Sequence, residues 1–441
     1  MTKSASADIL PVKDFVPDKE AGIEVTGTAA PKGKTASRLA CLDAFRGFDI
    51  LTMVFVNYLA GMAGIPFILR HAGAEMDALT LTDVVFPGFL FIVGVSIPLA
   101  LAKRKADGDS LPRILAHIFV RAAALIVLGL IEVNEHSFSA AASGMSREAF
   151  FLLAYMAVIG LWSMTPKNAS DRRRTFQLGI KAASAVVLVA LLAIYRGETE
   201  AGRIVWLQHS FWGILGIIGW TYLAASLLYL LSRGDRTALL GMMSLAVAFF
   251  IATRHGVLTA LGLKNGFIDA GANFGSHTAL ILAGAFIGTL FLPGGTEPDH
   301  PRRLRTMVLF GAGLVAAGYL LRPLHGFNKI LATESWALAT AGICALLLAG
   351  FYAIMDVLKV RRWAGFLQPV GRNPLLAYIL PGILGSLMSL ASSLLKTDVR
   401  GIFWPLAGRG GLAGMANAAV MTAFVLFLTW LATRNKIILK L

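Results

Sequence analysis

The chain has 441 residues, 56% of them hydrophobic and only 15% charged, with a mean hydropathy of +0.70. Soluble domains carry about 25% charged residues. About twelve apolar runs separated by loops of roughly 13 residues leave no room for a separate soluble catalytic domain. The runs are long and continuously apolar, which also excludes a transmembrane β-barrel, whose strands read as alternating segments of about 10 residues. The formal charge of +15 and pI near 10.0 read as the positive-inside bias of a membrane protein, not as a nucleic-acid footprint.

Residues 1–40 are rich in Ala, Lys, Asp, Ser and Pro and read as a disordered cytoplasmic tail. They lack the short apolar region and small-residue cleavage site of a signal peptide. Residues 41–441 read as a single all-α, polytopic membrane helix bundle. Its spans are expected near 47–69, 83–102, 113–131, 148–164, 176–195, 211–231, 237–253, 274–292, 304–321, 334–358, 371–395 and 411–433. Two runs are weaker: 113–131 carries His117 and Arg121, and 237–253 is short, so eleven spans is the alternative count. With the N-terminus inside, about 25 Lys and Arg fall on inside segments and about 11 on outside ones, which places both termini in the cytoplasm. Cys41 and Cys344 suggest neither a disulfide framework nor a zinc site.

The densest polar region opens the first span. Asp43, Arg46 and Asp49 recur at threes, so they share one helix face. Asp43 is favourable near a helix N-terminus and can pair with Arg46, whereas Asp49 is an ionisable group entering a span, where such groups tend to be functional. Asn57 follows further along, and its amide needs partners inside the membrane. At the outer end of this span lies His71, whose imidazole titrates near neutrality and suits general acid–base work. Thr82 or Asp83 can cap the second span with Pro87 in its first turn, and Asp83 can also reach across to fix a histidine tautomer. In the third span His117 and Arg121 share a face, and Arg121 must point into the bundle or a polar cavity. Gly371-Arg372-Asn373-Pro374 opens the eleventh, with Asn373 as its cap. His136, His209, His255, His277 and His325 are scattered and carry no assigned role.

These residues resemble one family. Leu42-Asp43-Ala44-Phe45-Arg46-Gly47-Phe48-Asp49, then Val56-Asn57-Tyr58, His71-Ala72, Asp83-Val84-Val85-Phe86-Pro87 and Phe89-Leu90-Phe91-Ile92-Val93-Gly94 resemble the heparan-α-glucosaminide N-acetyltransferase family and its bacterial inner-membrane acyltransferase relatives. Gly371 to Tyr378 is similar to a late-span motif of the same family. The resemblance implies a multi-pass enzyme of the cell inner membrane. It would move an acetyl group from cytosolic acetyl-CoA to an amino sugar or related glycan on the outer, periplasmic face. It assigns His71 as catalytic, with Asn57 beside it. The stretch between Asn57 and His71 is longer than the family's, and Gly73-Ala74-Glu75-Met76-Asp77 replaces the usual aromatic residue and glycine, so the acceptor itself is left open.

On this reading His71 is the general base, or a transient acyl carrier. Asn57 orients it or donates to the oxyanion, and Asp83 fixes its tautomer. Arg46, Asp43, Asp49, Arg121 and Asn373 are the expected acetyl-CoA residues, and a basic rim of Arg46, Lys103, Arg104, Lys105 and Arg113 would attract that anion. The expected partners are acetyl-CoA, a carbohydrate acceptor and the lipid bilayer, without nucleic acid, and association into a homo-oligomer is left open. The rival reading from another class is a secondary transporter of a small solute, which twelve Gly- and Pro-interrupted spans also suit.

Overall fold

A computed structural model describes residues 39–165, 170–262, 266–292, 299–399, 401 and 410–439. The expected tail, 1–40, lies almost wholly outside the described residues. Twelve main helices coincide with the twelve expected spans. They are α1 (Ala40–Leu59), α2 (Leu81–Ala106), α3 (Leu111–Val133), α4 (Arg147–Trp162), α5 (Asp171–Ile194), α6 (Gly213–Leu231), α7 (Arg236–Arg254), α8 (Thr278–Thr289), α9 (His300–His325), α10 (Glu334–Tyr352), α11 (Pro374–Leu395) and α12 (Gly411–Arg434). A π-helical stretch, Gly271–His277, leads into α8, and another, Ala353–Val357, continues α10. Nine of the described helices are long and apolar enough to cross a membrane. The α1 helix carries Asp43, Arg46 and Asp49, α4 has only 16 residues, and α8 completes its length through the π-helical stretch. The only strands among the described residues are Gly197–Glu198 and Ile204–Val205, a small antiparallel hairpin in the loop before α6.

Small residues set the closest helix contacts. A Cβ at Gly94 of α2 would collide with the Ile281 carbonyl of α8, and one at Gly284 of α8 with the Phe91 carbonyl of α2. The α3–α6 pair does the same around Gly129 and Gly216. In lipid there is no hydrophobic drive between helices, so close backbone approach of this kind supplies the packing energy. It fixes α2 against α8 as a central unit, from which α2 also touches α1 and α10.

One end of the bundle collects the start of α1, the break before α11 and the end of the chain. Gly371 packs on the Asp43 backbone, and the Asn373 amide bonds Ile437 and Leu439. The ends of the described bundle therefore lie on one face, as an even number of spans requires. Three expected boundaries differ. The first span does not run to residue 69, because Gly61 and Gly64 adopt positive φ and Pro66 follows; α1 stops at Leu59 and His71 sits in a loop. The eleventh span is broken at Asn373, leaving a short helix, Leu367–Arg372, ahead of α11. The cap of α2 is Thr80, not Thr82 or Asp83. Thr80 Oγ1 accepts from the Asp83 amide while the Asp83 carboxylate accepts from Thr80, which is a capping box.

Candidate functional site

Asp83 does more than close that box. Its Oδ2 accepts from Thr80 Oγ1 at 2.9 Å and from the Ala72 amide at 3.2 Å, and Oδ1 lies 2.8 Å from His71 Nδ1. The Asp83 side chain is fully buried, while that of His71 is 43% exposed. A carboxylate acceptor at Nδ1 favours the tautomer with the proton on Nδ1, leaving the Nε2 lone pair available. Asp83 thus spends one carboxylate on starting α2, tethering the incoming loop and orienting an imidazole. The indole of Trp336 holds the same turn by donating to the Asp83 carbonyl at 3.0 Å.

A third group, unassigned on sequence grounds, completes the cluster. Lys329 Nζ lies 3.2 Å from His71 Nε2 and 3.3 Å from Nδ1. It comes from the loop between α9 and α10, which is stapled to the His71 loop. Asn328 Nδ2 reaches the carbonyls of Gly73, Ala74 and Met76 at 3.3, 2.6 and 3.2 Å. Arg322 Nε grips Asp77 at 2.9 Å, and the Phe327 amide donates to the same carboxylate at 2.6 Å. The Phe327 N–H and then the Arg322 guanidinium hold the Asp77 carboxyl below its ordinary range. Burial pulls the Lys329 amine down to about 8, opposed by the Asp83 charge.

At the opposite end, Arg46 joins α1 to two neighbours. Its Nη1 donates to the Gly371 carbonyl at 3.1 Å and lies 3.5 Å from Asp43 Oδ1; its Nη2 donates to Ser96 Oγ of α2 at 3.0 Å. Arg372 approaches Asp43 at 4.0 Å, and Arg361 pairs with Asp356, which also accepts from the Cys41 amide. Lys103, Lys105, Arg113, Arg362 and Arg372 are exposed at this end, while Arg104 is half-buried and bonded to Asp109. The donor set suits phosphate oxygens.

Three expected donor-binding residues are placed otherwise. Asn373 is fully buried, and its carboxamide is consumed by backbone: Nδ2 donates to the Ile437 carbonyl at 2.8 Å and Oδ1 accepts from the Leu439 amide at 3.0 Å. It stands at the N-cap position of α11, but its side chain makes no capping hydrogen bond and is spent on the backbone at 437–439 instead. Arg121 stacks its guanidinium over the Tyr222 ring of α6 at 4.7 Å. Asp49 is buried where α1 meets Gly88 of α2, with Oδ2 making no hydrogen bond among the described residues. Among the expected donor residues, Asp43 and Arg46 alone come together.

Nor does any hydrogen bond among the described residues join Asn57 to His71. Asn57 instead lines a cavity of about 250 Å³ with Glu132, Tyr155 and Tyr378. Neither His71 nor Arg46 borders that cavity.

Comparison with known proteins gives relatives for part of the chain. Over 100 residues the chain is 40% identical to mouse heparan-alpha-glucosaminide N-acetyltransferase, and over 97 residues 41% identical to the human protein of that name. These matches cover 23% and 22% of this chain and 14% of each relative, so the chain aligns with only a small part of the curated proteins' length. The family described as "Domain of unknown function (DUF5009)" matches residues 38–264, more than half of the chain and the part that holds Asp43, Arg46, Asn57, His71 and Asp83. The chain therefore belongs to the DUF5009 family and is a relative of the heparan-alpha-glucosaminide N-acetyltransferases.

Proposed function

We propose that the protein is a membrane acetyltransferase of the inner membrane, taking an acetyl group from cytosolic acetyl-CoA and delivering it to an amino sugar or related glycan on the other side. The observation that carries this reading is the 2.8 Å contact between His71 Nδ1 and the buried Asp83 carboxylate, which favours the proton on Nδ1 and puts the basic lone pair on Nε2, 3.2 Å from Lys329 Nζ. In the proposed step the acceptor amine or hydroxyl attacks the thioester carbonyl. His71 Nε2 removes the acceptor proton, the C–S bond breaks as the new C–N or C–O bond forms, and CoA thiolate leaves. The Lys329 ammonium is placed to donate to the developing oxyanion.

The other end supplies the donor's binding groups. The exposed cations there match the phosphates of acetyl-CoA, and Arg46 locks α1 to α2 beneath them. The Arg46–Ser96 and His71–Asp83 contacts are both made to α2. They lie thirteen residues apart on that helix, about 20 Å at its rise per residue. Helix α2 is thus the ruler of the proposed reaction, and the pantetheine arm must span the gap it sets.

The test is thermal-shift titration of the purified chain with acetyl-CoA, CoA and longer acyl-CoAs. The expected result is saturable stabilisation by acetyl-CoA, because a ligand that binds only the native state raises the melting temperature in proportion to ln(1 + [L]/Kd). No stabilisation by any acyl-CoA, together with CoA-independent uptake of a solute into proteoliposomes, would replace the enzyme by a secondary transporter.

A further inference from the structure

Lys329 differs from most of the described lysines. Lys103, Lys105, Lys359, Lys396 and Lys436 are exposed, whereas Lys329 is half-buried. Among the described residues no carboxylate lies within ion-pair distance of its ammonium. Asp83, which faces the same imidazole, is spent on His71, Ala72 and Thr80. The loop that carries Lys329 is pinned at its base and across its width. His325 Nδ1 lies 2.9 Å from the buried Glu334 carboxylate, which joins the end of α9 to the start of α10. The Asn328 amide donates to Thr333 Oγ1 at 3.0 Å, and Asn328 Oδ1 accepts from the Leu331 amide at 2.9 Å. With Asn328 also holding the carbonyls of the His71 loop, the Lys329 stem starts from a fixed point. It delivers Nζ to within 3.3 Å of both imidazole nitrogens.

An amine held against a base is also the arrangement required of an acyl acceptor. Burial brings the Lys329 ammonium down to about 8, so about a tenth of it is free amine at pH 7. That fraction carries a lone pair where the reacting carbonyl of the proposed step must arrive.

We infer that Lys329 is a self-acetylation site, its amine taking the acetyl group when donor is present and no acceptor is bound. That the donor is acetyl-CoA rests on the proposed function; that the amine is activated beside His71 does not. The Nζ lone pair attacks the thioester carbonyl, the C–N bond forms and the C–S bond breaks. The amine proton passes to His71 Nε2, and CoA thiolate leaves. The product is a stable, neutral amide, so the ammonium that serves the oxyanion is lost and a protein starved of acceptor shuts itself down.

The purified full chain is incubated with labelled acetyl-CoA and no acceptor, and acetylation is mapped by peptide mass spectrometry. Lys329 is expected to be labelled about tenfold or more faster than the exposed lysines, and His71→Ala should slow it by about tenfold or more. Preincubated wild-type protein should then transfer acetyl to glucosamine about 10²–10³-fold more slowly, as for a lost oxyanion donor, while preincubation should cost Lys329→Arg nothing. N-Acetylimidazole, which needs no CoA site, is the second probe and should also modify Lys329 ahead of the exposed lysines. Equal rates at Lys329 and the exposed lysines with both reagents would overturn the inference. So would transfer to added acceptor by a protein whose Lys329 stays unmodified without it. If N-acetylimidazole modifies Lys329 first but acetyl-CoA never does, the activated amine stands and the acetyltransferase reading falls.

Discussion

Replacing His71 with alanine is expected to lower acetyl transfer from labelled acetyl-CoA by about 10²–10⁴-fold, the usual contribution of a positioned general base. The side chain is 43% exposed and, among the described residues, its hydrogen bonds run to Asp83 and Lys329, so the variant should fold and keep its melting temperature within a few degrees. Acetyl-CoA should still stabilise it, since the proposed donor groups lie about 20 Å away along α2. A variant that transfers acetyl at the wild-type rate removes His71 from the mechanism. Asp83→Asn is the informative companion. It can still accept hydrogen bonds at the start of α2, but it no longer places a full negative charge beside the imidazole. Its loss should therefore appear in rate and not in binding of either substrate.

Lys329→Met is expected to cost about 10²–10³-fold in turnover, the magnitude of one lost oxyanion donor. Its effect should also have a pH signature. Burial has already brought the Lys329 amine down to about 8. Below that value it is an ammonium and donates; above it, the proton is lost and with it the positive charge facing the reacting carbonyl. The wild-type rate should accordingly fall as pH rises through about 8, and Lys329→Met should show a lower rate without that descending limb. Lys329→Arg restores charge but not this titration, so it should keep part of the rate and extend the plateau to higher pH. An unchanged alkaline limb in Lys329→Met would assign the limb to another group and remove Lys329 from the transition state.

Local signals in the sequence carry the helices well, because a membrane imposes a single demand on each span: enough consecutive apolar residues to satisfy the backbone internally. All twelve expected runs contain a main helix. Turn chemistry is legible as well. Gly61, Gly64 and Pro66 are strong punctuation, and they end α1 a full ten residues before the expected limit of 69. The Thr80–Asp83 capping box could also have been read from its spacing. The link between Asp83 and His71 spans twelve residues across a single loop, within reach of pattern reasoning.

Long-range partners gave no comparable signal. Lys329 is 258 residues from His71, and Tyr378 is 246 from Glu132. Each resembles an ordinary loop cation or span aromatic until the fold sets it beside its partner. The misplacement of Asn373 has the same origin. Asn-Pro at a helix start reads as a cap, but the backbone at 437–439 competes for the carboxamide and wins, and the buried Leu439 N–H finds its acceptor there.

The central claim is that one helix bundle carries an acetyl group from a donor at the Arg46 end to an acceptor at the His71 end. Sided proteoliposomes test this most directly, with labelled acetyl-CoA supplied only to the face bearing the start of α1 and membrane-impermeant glucosamine only to the other. The account predicts labelled N-acetylglucosamine in the acceptor compartment and none with His71→Ala. Product formed only when both substrates share one side would contradict it.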